Sequence, residues 1–408
     1  MSQFLLRDDL NPRLLTIGRT PSRALPKVSP RPLCLLCALC VKSFFLLFIF
    51  LYAPAIVRSQ NLDKPLQSID EDITAFAYTP DGRIVYSVHR NFKTKLYDLE
   101  HDDIWLQDSG GKHRRLLEGQ KFTRGNQPFS YIGNSFRFSA NGRIILAELL
   151  TTTVVDDSGK AEDSFQTLLL DDSGKEIRIA KGDSIIPDAA DAFFLPDNVT
   201  INFLSEAVKP RMLFSLKATR LNTGAFKSPQ QDRTFRDVVP LPGVSSAIAV
   251  EQDHAMTGPS RLQRVELFTE DDKELATLDG YEGGLSVSPS GKKVAYFIDK
   301  EILEVRDLAS PNLLARLRVG LGVFRWSPDE SRILLKRAIE KKSGDLVWIE
   351  LPPLSAHSPG QDIPISQPVP ASILHGLTFR DFAISPDGRF LAVIIPGKRS
   401  LLVFPLPR

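Results

Sequence analysis

Cys34, Cys37 and Cys40 are the only cysteines in a chain of 408 residues, and their Cys-x-x-Cys-x-x-Cys spacing is one that iron–sulfur ligands use. Between them stand Leu35, Leu36, Ala38 and Leu39, and no fourth cysteine follows. A cluster would lack a ligand and polar support, so the triplet reads as small apolar residues in a membrane-directed segment. From Arg58 onward the chain can form neither a disulfide nor a cysteine–metal site. The histidines are His89, His101, His113, His254, His357 and His375, and none stands at metal-ligand spacing with another. His89 and His101 could share a surface, but they read as solvated loop histidines. Paired acids occur at Asp102-Asp103, Asp156-Asp157, Asp171-Asp172 and Asp271-Asp272. A calcium loop needs oxygens at alternate positions and a terminal Glu, which these lack, so they read as solvated hairpin turns. There is no Gly-x-Ser-x-Gly elbow and no phosphate-binding Gly-x4-Gly-Lys-Ser/Thr loop. Gly320-Leu-Gly322 lacks the third glycine of a dinucleotide loop and leads into a strand. No catalytic, cofactor-binding or metal-ligating residue is assigned, no cofactor is expected, and the chain reads as non-enzymatic.

Charge narrows the partners. The net charge is +2, but residues 1–57 carry +5 and the remainder −3. A weakly acidic body has no electrostatic footprint for nucleic acid. The basic pairs Arg114-Arg115 and Lys341-Lys342 read as polar edge residues, with Lys336–Lys342 a small surface patch. Residues 1–32 are basic, rich in Pro and Ser, and read as disordered. Residues 33–57 follow the order of a signal peptide: a positive flank, an apolar core Ser43–Tyr52, then Ala53-Pro54-Ala55. That core is shorter than the roughly 20 residues a membrane-spanning helix needs. Export with cleavage near Ala55 or Ser59 is therefore expected, with retention as an N-terminal membrane anchor the alternative.

The elements available to position side chains in residues 58–408 are short strands. Phe382-Ala-Ile-Ser-Pro-Asp-Gly-Arg389 reads as strand, tight turn and the start of a second strand: Pro presets φ, Asp bonds back to the backbone, and Gly accepts positive φ. The same pattern recurs at Phe76–Arg83, Phe136–Arg143, Leu285–Lys292 and Phe324–Glu330, with a degraded copy at Phe193–Asn198. Turns at Asp108–Lys112 and Asp171–Lys175 occupy matching places in the first two units. Arg114–Leu117 and Glu176–Ala180 are then the fourth strands of those units. A fourth unit, without a Pro-Asp-Gly turn, is inferred from Ser246–Val250, Gln263–Phe268 and Glu274–Leu278. Starts near 76, 136, 193, 246, 285, 324 and 382 predict an all-β propeller of four-stranded blades, seven in number, with six or eight as alternatives. The last unit has only three strands, and the segment Leu62–Ile69 is expected to supply its outer one and close the ring.

The Phe-x-x-Ser-Pro-Asp-Gly-(Arg/Lys) pattern resembles the repeats of TolB-type, WD40-like β-propellers over most of residues 70–405. It departs from true WD40 repeats, because Trp105, Trp326 and Trp348 are followed by Leu, Ser and Ile. The resemblance implies an envelope or secreted propeller that binds other proteins and assigns no binding residue. The expectation is an interaction scaffold, periplasmic or secreted, contacting envelope or extracellular proteins and touching membrane only through residues 33–57. Its candidate contact regions are the long loops Asn222–Asp237 and Leu351–Leu374. The alternatives are a lyase- or glycosidase-type enzyme at the channel mouth and a membrane-tethered ligand sensor.

Overall fold

The computed structural model describes Leu62 and residues 64–406, apart from 123–128, 155–160, 179–183, 206–210, 218–225, 228–232, 253–257, 311, 321, 341–342, 352–362, 369–370, 378–380 and 396–399. The expected disordered arm, the export segment and the three cysteines lie outside the described residues. No helix among the described residues is long and apolar enough to cross a membrane.

After β1 (Gln67–Ile69) the strands come in antiparallel groups, each running from an inner to an outer strand. The first group is β2 (Ile73–Tyr78), β3 (Ile84–Lys93), β4 (Asp98–Gln107) and β5 (His113–Leu117). The second is β6 (Phe129–Phe138), β7 (Ile144–Val154), β8 (Ala161–Asp171) and β9 (Ile185–Ile186). A single parallel bridge, His101 to Tyr131, joins these two. Next come β10 (Ala189–Phe194), β11 (Thr200–Ser205), β12 (Met212–Lys217) and β13 (Phe226–Lys227), then β14 (Phe235–Pro240), β15 (Ser246–Glu251), β16 (Ser260–Glu266) and β17 (Asp272–Leu278). The fifth group, β18 (Tyr281–Val287), β19 (Lys293–Ile298), β20 (Ile302–Asp307) and β21 (Leu313–Arg318), precedes β22 (Val323–Trp326), β23 (Arg332–Glu340) and β24 (Ser343–Glu350). β25 (Ile365–Ser366) lies parallel against β21, and β26 (Ala371–Leu377) completes the β22–β24 sheet. The last group is β27 (Phe382–Ile384), β28 (Phe390–Ile394) and β29 (Leu401–Pro405), and β1 pairs with β29, Ser68 opposite Leu402. Leu62–Ile69 does supply the outer strand of the final sheet.

The recurring turn explains its own sequence. Ser385 N–H donates to Phe390 O (2.9 Å) and Gly388 N–H to Ser385 O (2.9 Å). The Ser385 hydroxyl donates to Asp387 Oδ1 (2.6 Å) and accepts Phe390 N–H (2.9 Å). Gly388 sits at φ 72°, where side chains are strained. Ser139 with Asn141 and Ser327 with Asp329 repeat the clamp. Successive turns also touch. A Cβ on Gly388 would meet Pro328 Cγ at 3.0 Å, and one on Gly291 would meet Pro242 Cδ at 3.1 Å.

Consecutive strand residues point to opposite sheet faces. Here both faces are buried, so the strands read as continuous apolar runs. Ile145 packs with Val85 and Ile104 of the first sheet, and the adjacent Leu146 with Ile201 and Phe203 of the third. Leu204 meets Ala249, Ile248 meets Val294, Ala295 meets Ile333, and Leu334 meets Leu391. Ala392, Ile394 and Leu401 then pack on Ile73 and Tyr86, so the succession returns to its start. Each fully buried aliphatic side chain contributes about 1.5–3 kcal/mol. This is an all-β propeller.

Several expectations are corrected. The fourth unit begins at β14, inside and beyond what reads as the end of the Asn222–Asp237 loop, and its turn is Leu241-Pro242-Gly243 with Gly243 at φ 73°. In the second unit Glu176 makes only an isolated bridge to Leu170. The outer strand is β9, because Ile185 and Ile186 fill the cores on both sides of their sheet whereas Glu176 and Arg178 are exposed. Leu351–Leu374 is not a free loop throughout, since it contains β25 and the start of β26.

Candidate functional site

Five inner strands carry a β-bulge, at Thr74, Asn134, Asp191–Ala192, Arg236 and Glu282, and the last of them has a second at Gly284–Leu285. A bulge re-aims side chains and breaks the ladder. Each of the five strands has a polar residue at a bulge: Thr74, Asn134, Asp191, Arg236 and Glu282.

The first cluster forms between the first and second sheets. Asp102, fully buried, accepts Gly133 N–H (2.7 Å), the Thr74 hydroxyl and His89 Nδ1 (3.1 Å). Thr74 also bonds Ser87 Oγ (2.6 Å), which accepts Ala75 N–H (3.0 Å). The hydrogen bond to Asp102 raises His89 above its ordinary value against the opposing effect of burial. Asp103, also buried, accepts Gly119 N–H (2.7 Å) and lies 3.7 Å from both Arg90 and Arg115. His101 is enclosed by Phe92, Phe129 and Tyr131 at ring separations of 5.5, 5.3 and 4.9 Å. Its Nε2–H donates to Phe129 O (2.9 Å), and burial pushes its pKa down.

The reading of His89 and His101 as solvated loop histidines is therefore overturned, as is that of Asp102-Asp103 as a solvated turn. The residues lie in β3 and β4, and the neighbouring sheet covers them. Asp171 does form an exposed turn, with Oδ1 accepting Ser173 N–H and Lys175 N–H at 2.9 Å. His113, on β5, bonds the Tyr86 hydroxyl at 2.7 Å. Lys336 is half-buried in β23, and burial lowers its pKa. Arg115 is exposed on the outer strand and paired with Glu118 at 2.8 Å, in keeping with an edge role.

A second cluster continues along the rim. Buried Glu148 accepts Asp191 N–H (2.7 Å) and the Asn134 amide. Burial and the nearby Asp191 charge raise its pKa. Asp191 faces Arg211 at 3.5 Å and Arg137 at 4.0 Å. Arg211 donates to Arg236 O (3.4 Å), Arg236 to Tyr281 O (2.9 Å), and the Tyr281 hydroxyl to Asp237, whose pKa burial raises. In the sixth sheet Arg325 pairs with Asp381 at 3.1 Å and lies over the Phe382 ring at 5.3 Å. None of these residues was singled out from sequence, although Phe136-Arg137-Phe and Phe324-Arg325-Trp place an arginine at the same position of two repeats. Among the described residues no group of three or more His, Cys, Asp or Glu is placed to hold a metal ion.

The chain matches no protein-family model and no curated protein sequence. Solved structures do resemble it. The β-propeller domain of Cps50 (Swd1) from Myceliophteria thermophila superposes with a TM-score of 0.55 at 11% identity, covering 84% of this chain and 99% of that one. A chain from a crystal structure of the mitotic checkpoint complex superposes with a TM-score of 0.52 at 11% identity, covering 98% of this chain and 100% of that one. At such identities the likeness is one of fold, and the fold is a WD40-type β-propeller.

Proposed function

We propose that this chain is a seven-bladed propeller acting as a non-enzymatic protein-interaction scaffold, exported through residues 33–57 to the periplasm or the cell exterior. The observation that carries the scaffold reading is a pair of overlong hairpins. β3 and β4 have 10 residues each and β7 and β8 have 11, against 6 in β11, β12, β15, β19 and β20. At roughly 3.3 Å per residue the excess projects about 13–17 Å. β3 runs on past Val88, where its pairing with the inner strand ends, and carries the β3–β4 hairpin to Leu96, 82% exposed. The Glu100 N–H bond to Ser130 Oγ (2.9 Å) and the aromatic packing around His101 brace this projection against the second blade. A braced projection with an apolar tip on a rigid ring suits a protein partner.

The test uses the full chain as immobilised bait against an envelope extract, read by mass spectrometry, beside the Leu96→Asp variant. A stoichiometric protein retained by the wild type and lost with Leu96→Asp is expected. A wild-type bait, shown folded, that retains nothing would overturn the reading. Sequencing the N-terminus of the mature protein tests export: a start near Ile56 or Gln60 marks cleavage, and an intact terminus in the membrane fraction marks an anchor.

A further inference from the structure

The dipeptide Asn-Gly occurs once in the chain, at Asn141-Gly142, inside the recurring turn of the second blade. The same place in other copies of the turn holds an aspartate: Asp81, Asp197, Asp329 and Asp387. Asn141 makes the aspartate's bonds. Its Oδ1 accepts the Ser139 hydroxyl (2.7 Å) and Arg143 N–H (3.1 Å). Asp387 Oδ1 accepts the Ser385 hydroxyl (2.6 Å) and Arg389 N–H (3.1 Å), and Asp329 Oδ1 the Ser327 hydroxyl (2.5 Å) and Ser331 N–H (3.2 Å). The atom that distinguishes the amide from a carboxylate, Asn141 Nδ2, donates to nothing among the described residues.

The surroundings also suit a charge. The serine hydroxyl bond is the first cause that holds Asp329 and Asp387 below their ordinary pKa. Arg83 Nη2, from the turn of the first blade, donates to Gly142 O (3.2 Å), and Asp81 is paired with that arginine at 2.8 Å. An ionised acceptor would strengthen both bonds of the clamp at residue 141.

A glycine after asparagine leaves its backbone nitrogen open to attack the side-chain amide, because no side chain hinders the approach. Gly142 N gives up its proton and bonds to Asn141 Cγ. The Cγ–Nδ2 bond breaks, and Nδ2 departs with that proton as ammonia. Water then opens the cyclic imide. Opening at Cγ gives an ordinary aspartate, whereas opening at the main-chain carbonyl carbon gives isoaspartate, which routes the chain through Cγ and lengthens it by one atom. In the folded turn the nucleophile is engaged, since Gly142 N–H donates to Ser139 O (2.8 Å). Ring closure therefore belongs to the unfolded or opened turn. Gly142 is buried and lies against Pro80, whose Cδ would be 3.5 Å from an added Cβ, so an extra main-chain atom would disturb this contact and an aspartate would not.

We propose that Asn141 is a self-modification site, deamidated by the Gly142 nitrogen while the turn is open, and that the fold takes up the aspartate product as a further copy of its own clamp. The site is independent of the hairpin surface proposed above, and each can fail without the other.

The full chain is held in mildly alkaline buffer, native and in urea, and the peptide carrying residue 141 is followed by mass spectrometry with chromatographic separation of its Asn, Asp and isoAsp forms. Conversion at Asn141 should be at least tenfold faster in urea than in the native chain. No conversion in urea, or conversion at least as fast in the native chain, would overturn the site. The fit of the product is read on separately expressed Asn141→Asp, which needs no conversion. Its urea midpoint at neutral pH should equal or exceed that of the wild type, and any excess should vanish as the carboxylate is protonated in acid. A neutral-pH midpoint below that of the wild type would show that the fold does not accept the product.

Discussion

Three donors converge on the buried Asp102 carboxylate: the Thr74 hydroxyl, Gly133 N–H and His89 Nδ1–H. Removing the acceptor takes this bond from Gly133 N–H and His89 Nδ1–H and leaves the Thr74 hydroxyl only Ser87 Oγ. Asp102→Ala should therefore cost about 3–5 kcal/mol, measured as a lower urea midpoint at an unchanged slope. The two histidines nearby should act in opposite senses with pH. The His89 pKa is raised in the fold, so its stabilisation is present below the ordinary value of 6.5 and is lost as pH rises through the folded value. The His101 pKa is lowered, so below 6.5 the unfolded chain takes up a proton that the folded chain resists, and stability falls there on acidification. Urea midpoints at pH 5.5 and 8.5 should show His89→Gln losing more at the acid pH, and His101→Gln losing less there than at pH 8.5. The same loss at both pH values for both variants would contradict the assigned protonation states.

Among the elements, the turns were the most legible in sequence and the edges the least. Pro, Asp and Gly act within four residues, so Phe382–Arg389 announces its hairpin without help from the rest of the chain. β14 was missed because its turn, Pro242-Gly243, solves the same geometry with different residues, and because Phe235–Pro240 follows a polar stretch. The displacement to β9 and the parallel docking of β25 depend on which residues a neighbouring blade covers, and periodicity carries no record of that. The candidate site was illegible for the same reason: Asp102 and His89 look solvated until the second blade is laid over them. Two glycines separate local from inter-blade demands. Gly82, at φ 85°, has nothing within 4 Å of an added Cβ, whereas at Gly388 that atom would press on Pro328 at 3.0 Å. Gly82→Ala should cost about 1 kcal/mol from backbone strain alone. Gly388→Ala should cost about 2 kcal/mol or more, compared by thermal or urea unfolding. Equal costs would mean that the turns of adjacent blades are mechanically independent.

For the molecule as a whole, stability rests on a succession of shared cores rather than on one centre, and the contact of Ala392, Ile394 and Leu401 with Ile73 and Tyr86 turns that succession into a circle. β1 secures the junction by pairing with β29. Deleting residues 62–70 should expose the edge of β29 and uncover Leu401 and Val403. The expected result is a broadened, lower-temperature unfolding transition and self-association on size-exclusion chromatography. A truncated chain that stayed monomeric and unfolded like the wild type would show that the core contacts close the ring unaided.

The pairing of Ser68 with Leu402 also sets a clock. The two partners are separated by more than 300 residues, so among the described residues the first strand joins the last. At about 5–20 residues per second, on the order of tens of seconds pass before closure is possible, and long-range pairing is intrinsically slow once it is. Throughout that interval the blades can assemble in order, but the nascent protein carries an open seam at each end. Any pause, early stop or nick near the C-terminus would release a molecule whose opening segment has no partner and whose interior is exposed at the break.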